Sequence, residues 1–149
     1  MEKLVSGSSP VSGQYQVPSR LEDLTDAKRP ILEAAGKAGY LEEDLTAINL
    51  ALEEALTNAI RHGNREDTAK AVFVEFEIDG QEIRFSVRDE GNGFDVAGLP
   101  DARSPSGKRK PCGRGVFLLR AYMDEVLYNE KGNRVTLARR KRPGTAEPG

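Results

Sequence analysis

The sequence is poor in the residues that carry thiol and imidazole chemistry, and each shortage removes a class of function. Cys112 is the one cysteine among 149 residues, so no internal disulfide can form and a cysteine-ligated metal site is not expected. His62 is the one histidine, which rules out a histidine-rich metal site and any scheme that needs two imidazoles. No apolar run approaches the roughly 20 residues that cross a bilayer. The first residues, MEKLVSGSSP, lack the apolar stretch of a secretory signal, so a cytoplasmic location without membrane attachment is expected. Net charge is only −2, which gives the whole protein no general attraction for nucleic acid.

What is present suits a globular domain: 38% of residues are hydrophobic and 31% charged, and the length accommodates one core. Residues 14–142 read as that domain. Residues 1–13, rich in Ser and Gly, and residues 143–149 read as disordered tails. Charge is unevenly spread. Arg103, Lys108, Arg109, Lys110 and Arg114 form one basic stretch without an acid, and Arg139 to Arg142 form a second, which reads as a solvated face.

Tyr15 and Val17 alternate with Gln14 and Gln16, predicting a short strand that Pro18 ends. Ser19, with Glu22 three residues on, reads as a capping box opening a helix. Leu21, Leu24, Ile31, Leu32 and Ala35 form its stripe, Pro30 should kink or split it, and Gly39 closes it. A second helix is predicted from about Leu41 to His62, on the spacing of Leu45, Ile48, Leu52, Ala55, Leu56 and Ala59, with Gly63 as its C-cap.

Two alternating runs, AVFVEFEI and EIRFSVRD, then form a hairpin around Asp79-Gly80. A two-residue turn would set Glu77 against Glu82. A four-residue loop pairs Phe76 with Phe85 and Glu77 with Arg84, and the charges favour it. From Gly91 to Gly113 no pattern persists. A helix from Val116 to about Met123 and a second hairpin, Glu125–Tyr128 with Arg134–Arg139, complete the chain. The order strand, helices, hairpin, loop, helix, hairpin is not a βαβ repeat. It points to a two-layer α/β sandwich: a mixed, mostly antiparallel sheet with helices on one face.

Three short segments carry the chemistry. In EEALTNAIRHGN, Glu54, Asn58 and His62 stand at i, i+4 and i+8 and share one helix face; the plain reading is a solvated edge. His62, near the helix end, reads as a capping or dipole contact more readily than as a catalyst. In DEGNG, Asp89 follows Val87 by two residues, so its carboxylate is aimed at the helical layer, where burial without partners costs several kcal/mol. The plain reading makes Asp89 a turn cap shaped by Gly91 and Gly93. Gly113-Arg114-Gly115 precedes the third helix and suits either phosphate or a simple junction.

Taken in order, Glu-x-x-x-Asn, Asp-x-Gly-x-Gly and Gly-x-Gly resemble the N, G1 and G2 boxes of the GHKL (Bergerat-fold) ATPases. EALTNAIRHG, DEGNGFD and GRGVFLLRAYMDEV are most similar to the anti-sigma-factor serine kinases, over roughly residues 14–140. The resemblance implies binding of ATP and Mg²⁺. Asn58 would offer its amide oxygen to Mg²⁺, and Asp89 would accept the adenine amino group. Gly91 and Gly93 would leave room for the base. Gly113, Arg114 and Gly115 would present N–H groups to phosphate, Thr136 would help hold adenine through its hydroxyl, and residues 99–112 would form the lid. Glu54 would orient the attacking hydroxyl; Glu53 does not lie four residues before the asparagine. The implied function is a serine/threonine kinase that sequesters a sigma factor and phosphorylates a STAS-type anti-anti-sigma protein, acting as a homodimer. The alternatives are an ATP-binding interaction module without phosphotransfer, and the ATPase domain of a histidine kinase.

Overall fold

In a computed structural model of the protein, residues 10–92 and 119–142 are described. The expected tails, apart from residues 10–13, and the basic stretch from Arg103 to Arg114 lie outside them. Strands β1 (Val11–Pro18), β2 (Ala71–Ile78), β3 (Glu82–Arg88), β4 (Glu125–Tyr128) and β5 (Arg134–Arg140) form one sheet in the order β1-β2-β3-β5-β4. All four ladders between these strands are antiparallel. Helices α1 (Leu24–Lys37) and α2 (Glu42–Thr57) lie in the second layer, and residues 119–122 are also helical.

The period-two pattern decides which face is covered. Val72, Val74, Ile78, Ile83, Phe85 and Leu137 point from the sheet into a core shared with Ile31, Ile48, Leu52, Leu56 and Ile60 of the helical layer. Each such aliphatic side chain contributes roughly 1.5–3 kcal/mol by leaving water. The opposite face of the sheet carries Gln14, Glu75, Arg84, Ser86, Arg88 and Thr136 and is polar. No helix among the described residues is long and apolar enough to cross a membrane.

The first hairpin takes the four-residue loop: Phe76 faces Phe85 and Glu77 faces Arg84. Asp79 Oδ1 accepts the N–H groups of Gln81 and Glu82 at 2.8 Å each, which fixes that loop length. Strand β1 begins at Val11, so residues 11–13 belong to the sheet and not to a disordered tail. Gly13 stands opposite Phe76, whose ring occupies the place of its missing side chain: a Cβ there would lie 2.8 Å from Phe76 Cε1.

Other local expectations change. Ser19 makes no capping box; its Oγ is buried without a hydrogen-bond partner among the described residues. A 3-10 turn, Leu21–Asp23, intervenes, and Arg20 organises it by donating from Nε to Asp23 Oδ2 at 2.9 Å. Pro30 lies inside α1 without splitting it; Asp26, whose carbonyl loses its N–H donor to the proline, is exposed, as is Pro30 itself.

The second basic cluster is a fastening and not a solvated face. Arg139 is buried and pairs through Nε with the buried Asp44 Oδ1 at 2.8 Å, while its NH1 donates to the Tyr122 carbonyl at 2.6 Å. Asp44 Oδ2 accepts the Arg142 N–H at 3.1 Å, so both carboxylate oxygens are satisfied and the desolvation of the pair is offset. Lys141 Nζ donates to the Ala38 carbonyl at 3.0 Å and lies over the Tyr40 ring. The start of α2, the end of α1 and β5 are thereby tied together.

Two glycines of one helix end should respond oppositely to alanine. Gly39 has φ +88 and ends α1 in a Schellman arrangement, with Tyr40 N–H to Ala35 O and Gly39 N–H to Gly36 O, both 3.1 Å. A Cβ on Gly36 would meet nothing within 4 Å. Gly36→Ala should raise stability by about 0.5–1 kcal/mol, whereas Gly39→Ala should lower it by about 1 kcal/mol or more. Urea unfolding midpoints check this; shifts of the same sign would contradict the helix-end geometry.

Candidate functional site

Helix α2 changes its winding where the chemistry begins. Through Thr57 it is α-helical; Asn58–Gly63 is a π-helical turn. The Asn64 N–H accordingly reaches back five residues to the Ala59 carbonyl at 2.8 Å. Such turns hold one residue more than α-helix would and recur at functional sites. The chain then reverses through Arg65 and Glu66, both left-handed at φ 54 and 56. Neither is glycine, so the corner stores strain of about 1–2 kcal/mol per residue.

The helix places its polar residues as their spacing requires. Glu54 and Asn58 are half-buried, one turn apart, and His62 is exposed. Asn58 and His62 line a cavity of about 110 Å³ together with Ala55, Ala59 and Gly63. Glu54 is not among the residues lining this cavity. Its neighbour Glu53 is engaged elsewhere, bound by Lys28 Nζ at 2.6 Å.

Across the cavity stands Asp89. Its N–H continues the β3–β5 ladder by donating to the Asn133 carbonyl at 2.9 Å, so its side chain keeps the inward direction of Phe85 and Val87. The residue is 8% exposed. Burial pushes its carboxyl pKa above the ordinary value, against the opposing pull of the Gly91 N–H and of Arg88, Lys131 and Lys70. Gly91 N–H donates to Oδ1 at 2.8 Å.

The carboxylate fits only because two glycines flank it. A Cβ on Gly63 would lie 2.2 Å from Asp89 Cγ, and a Cβ on Gly91 would lie 2.1 Å from the Gly63 carbonyl oxygen. Gly63 is therefore needed for close approach and not as the expected C-cap; no left-handed φ occurs there. Gly91, expected to leave room for a ligand, gives that room to the backbone of Gly63. Beside them Asn64 is buried, accepts the Glu90 N–H on Oδ1 at 2.7 Å and donates from Nδ2 to the Ala71 carbonyl at 3.0 Å.

The cavity pairs a carboxylate acceptor and a carboxamide with the apolar side chains of Val87, Leu119 and Val135. That combination suits a flat ring with a hydrogen-bond donor on the edge facing Asp89. Among the described residues no group of three or more His, Cys, Asp or Glu could hold a metal ion. A hard cation near Asn58 would draw its remaining oxygens from a phosphate-bearing ligand and water.

The expected site thus converges in part. Glu54 and Asn58 share a face, and Asp89 and Gly91 lie opposite. Thr136 is not brought to the cavity. It faces the polar side of the sheet, opposite Ser86 and next to the inward Val135, because neighbours on a strand alternate in direction. Gly93, Gly113, Arg114, Gly115 and the expected lid, residues 99–112, lie outside the described residues. Asn64 and the close approach at Gly63 are not apparent from the sequence pattern. Their signal was present as Gly-Asn directly after the expected helix end, a pair ordinarily read as a turn.

The histidine kinase-like ATPase domain pattern matches residues 17–139. The anti-sigma F factor of Clostridium perfringens is 36% identical over 108 residues, covering 69% of this chain and 76% of that protein. The serine-protein kinase RsbW of Oceanobacillus iheyensis is 26% identical over 124 residues, covering 79% and 78%. A solved structure, the RsbU and RsbW domains of Rv1364c from Mycobacterium tuberculosis, shares the fold with a TM-score of 0.61 at 19% identity, over 90% of this chain and 33% of that longer one. With a match from β1 to β5 that contains both the asparagine turn and the buried aspartate, the chain belongs to the histidine kinase-like ATPase domain family.

Proposed function

We propose that this protein is an ATP-dependent serine/threonine protein kinase that also holds a sigma factor. Its substrate is a STAS-type anti-anti-sigma protein, and phosphorylation of that antagonist leaves the kinase able to bind sigma. The observation that carries the reading is the buried Asp89 carboxylate lining the same cavity as Asn58. The names of the relatives, anti-sigma F factor and serine-protein kinase, point the same way.

In this reading Asp89 accepts a hydrogen bond from the adenine amino group. A carboxylate with a raised pKa gains most from such a donor, because the donor replaces water that burial has removed. Val87, Leu119 and Val135 cover the ring, and Asn58 offers its amide oxygen to Mg²⁺. Mg²⁺ held there would supply positive charge to offset the charge that develops on phosphoryl transfer. Glu54, one turn from Asn58 and outside the Lys28 ion pair, orients the acceptor hydroxyl and takes its proton. The roles of Gly93, Gly113, Arg114, Gly115 and the basic lid rest on the sequence alone. A homodimer and a cytoplasmic location complete the proposal. Incubation with labelled ATP, Mg²⁺ and STAS proteins of the same genome should place label on a serine or threonine of one of them. Label on none of them would overturn the kinase reading.

Two substitutions separate binding from transfer. Glu54→Ala should leave ATP affinity near the wild-type value while phosphotransfer falls by about 10²–10⁴-fold. Parallel loss of both, measured by calorimetry and by label transfer, would remove Glu54 from the reaction.

Asp89→Asn should weaken ATP binding by about tenfold or more, through loss of a hydrogen bond to a charged group. Without nucleotide it should stabilise the fold at neutral pH. The folded-state pKa of Asp89 is raised, so its ionised form opposes folding above that pKa, and the cost disappears as pH falls and the group is protonated. Melting temperatures of variant and wild type should therefore differ at pH 7 and converge in acid. A gap that widens in acid would contradict the assignment.

A further inference from the structure

The seam between the π turn and the end of β3 contains a residue to which no role has been given. We infer that Asn64 is a positioning residue for adenine recognition, acting through Asp89; the inference rests on the ATP reading proposed above. Asn64 is 1% exposed, and its side chain bridges the bend after β3 to the start of β2. Oδ1 accepts the N–H of Glu90, the residue after Asp89, at 2.7 Å, and Nδ2 donates to the carbonyl of Ala71, the first residue of β2, at 3.0 Å. Glu90 Oε2 closes the loop by accepting the Ala71 N–H at 2.7 Å.

The geometry makes this bridge matter for selectivity. Gly63 and Gly91 approach so closely that neither has room for a Cβ, and the Asp89 carboxylate sits between them. Apolar packing alone does not fix that approach, since the contact surfaces are backbone and carboxylate. Directed hydrogen bonds fix it, and Asn64 makes two of them beside the carboxylate. A shift of the strand end would carry Asp89 away from the edge of the ring it reads. Adenine offers an amino group at that edge and guanine a carbonyl oxygen, which a carboxylate repels. The position of Asp89 therefore governs the choice between ATP and GTP.

The test compares the affinities of wild type, Asn64→Ala and Asn64→Asp for ATP and GTP, each with Mg²⁺, by calorimetry on the full chain. Gly39→Ala serves as a control, destabilised at a helix end away from the seam. Asn64→Ala should weaken ATP binding about tenfold and narrow the ATP-over-GTP ratio about fivefold, as loss of a held hydrogen-bonding group predicts. Gly39→Ala should lower the melting temperature and leave the ratio unchanged. Asn64→Asp keeps the acceptor for the Glu90 N–H and loses the donor to Ala71; it should narrow the ratio less, and it decides the matter if the alanine variant does not fold. A wild-type protein that prefers ATP, with Asn64 variants that keep its ratio while melting earlier, would overturn the positioning role alone. A wild-type protein with no preference for ATP would overturn the adenine-reading role of Asp89 instead.

Discussion

The contact between the Gly63 backbone and the Asp89 carboxylate is the constraint on which the rest of the site depends. A charged group enters the space between two layers only if something replaces its hydration. Here the Gly91 N–H replaces part of it, and the remaining acceptor capacity is directed at the cavity. Seating the group so deep requires a helix end with no side chain at Gly63 and a strand end with none at Gly91. The π turn answers the same requirement. It carries Asn58 and His62 to the cavity wall while bringing Gly63 against the carboxylate.

The remainder of the fold holds the two layers in the register this contact needs. The aliphatic core supplies most of the attraction but little direction. Direction comes from polar ties at the ends of elements. The Asp44–Arg139 pair joins the start of α2 to β5, Tyr15 Oη donates to the Ala27 carbonyl at 2.6 Å, and Tyr40 Oη donates to the Asp79 carbonyl at 2.9 Å. Burial holds both tyrosine hydroxyls far above their ordinary pKa, so they remain donors across the working pH range. The Asp44–Arg139 and Tyr40–Asp79 ties both lie toward the β2–β3 hairpin, and the cavity lies toward the other end of β3, at Val87 and Asp89.

Much of this was legible in the sequence because it comes from periodicity. The antiparallel hairpins, the Phe76–Phe85 register and the inward direction of Asp89 each come from a period of two and one charge argument. The helical face of Glu54 and Asn58 comes from a period near 3.6. Gly63, Arg139 and Lys141 depart from expectation for one reason: contacts between distant segments override local rules. Gly63 looks like a cap because the residue it must avoid, Asp89, is far away in sequence. Arg139 and Lys141 look solvated because their partners, Asp44 and Ala38, lie about a hundred residues earlier. The expectation for Thr136 rests on likeness to a family position; the residue lies next to the inward-facing Val135, and one residue along a strand reverses the face.

The winding of the helix end also sets the kind of change this segment tolerates. The extra residue of the π turn is held by a reversal through Arg65 and Glu66, whose left-handed backbones glycine or asparagine would accept more readily. Side chains there can be exchanged, and the strain even relieved. Chain length cannot: removing one residue would let the segment relax toward α-helix and rotate the downstream residues by about 100°. Asn58 and Gly63 would then no longer face the same wall. Arg65 and Glu66 are permissive to substitution, Gly63 and Asn64 are not, and the whole segment is intolerant of insertion or deletion.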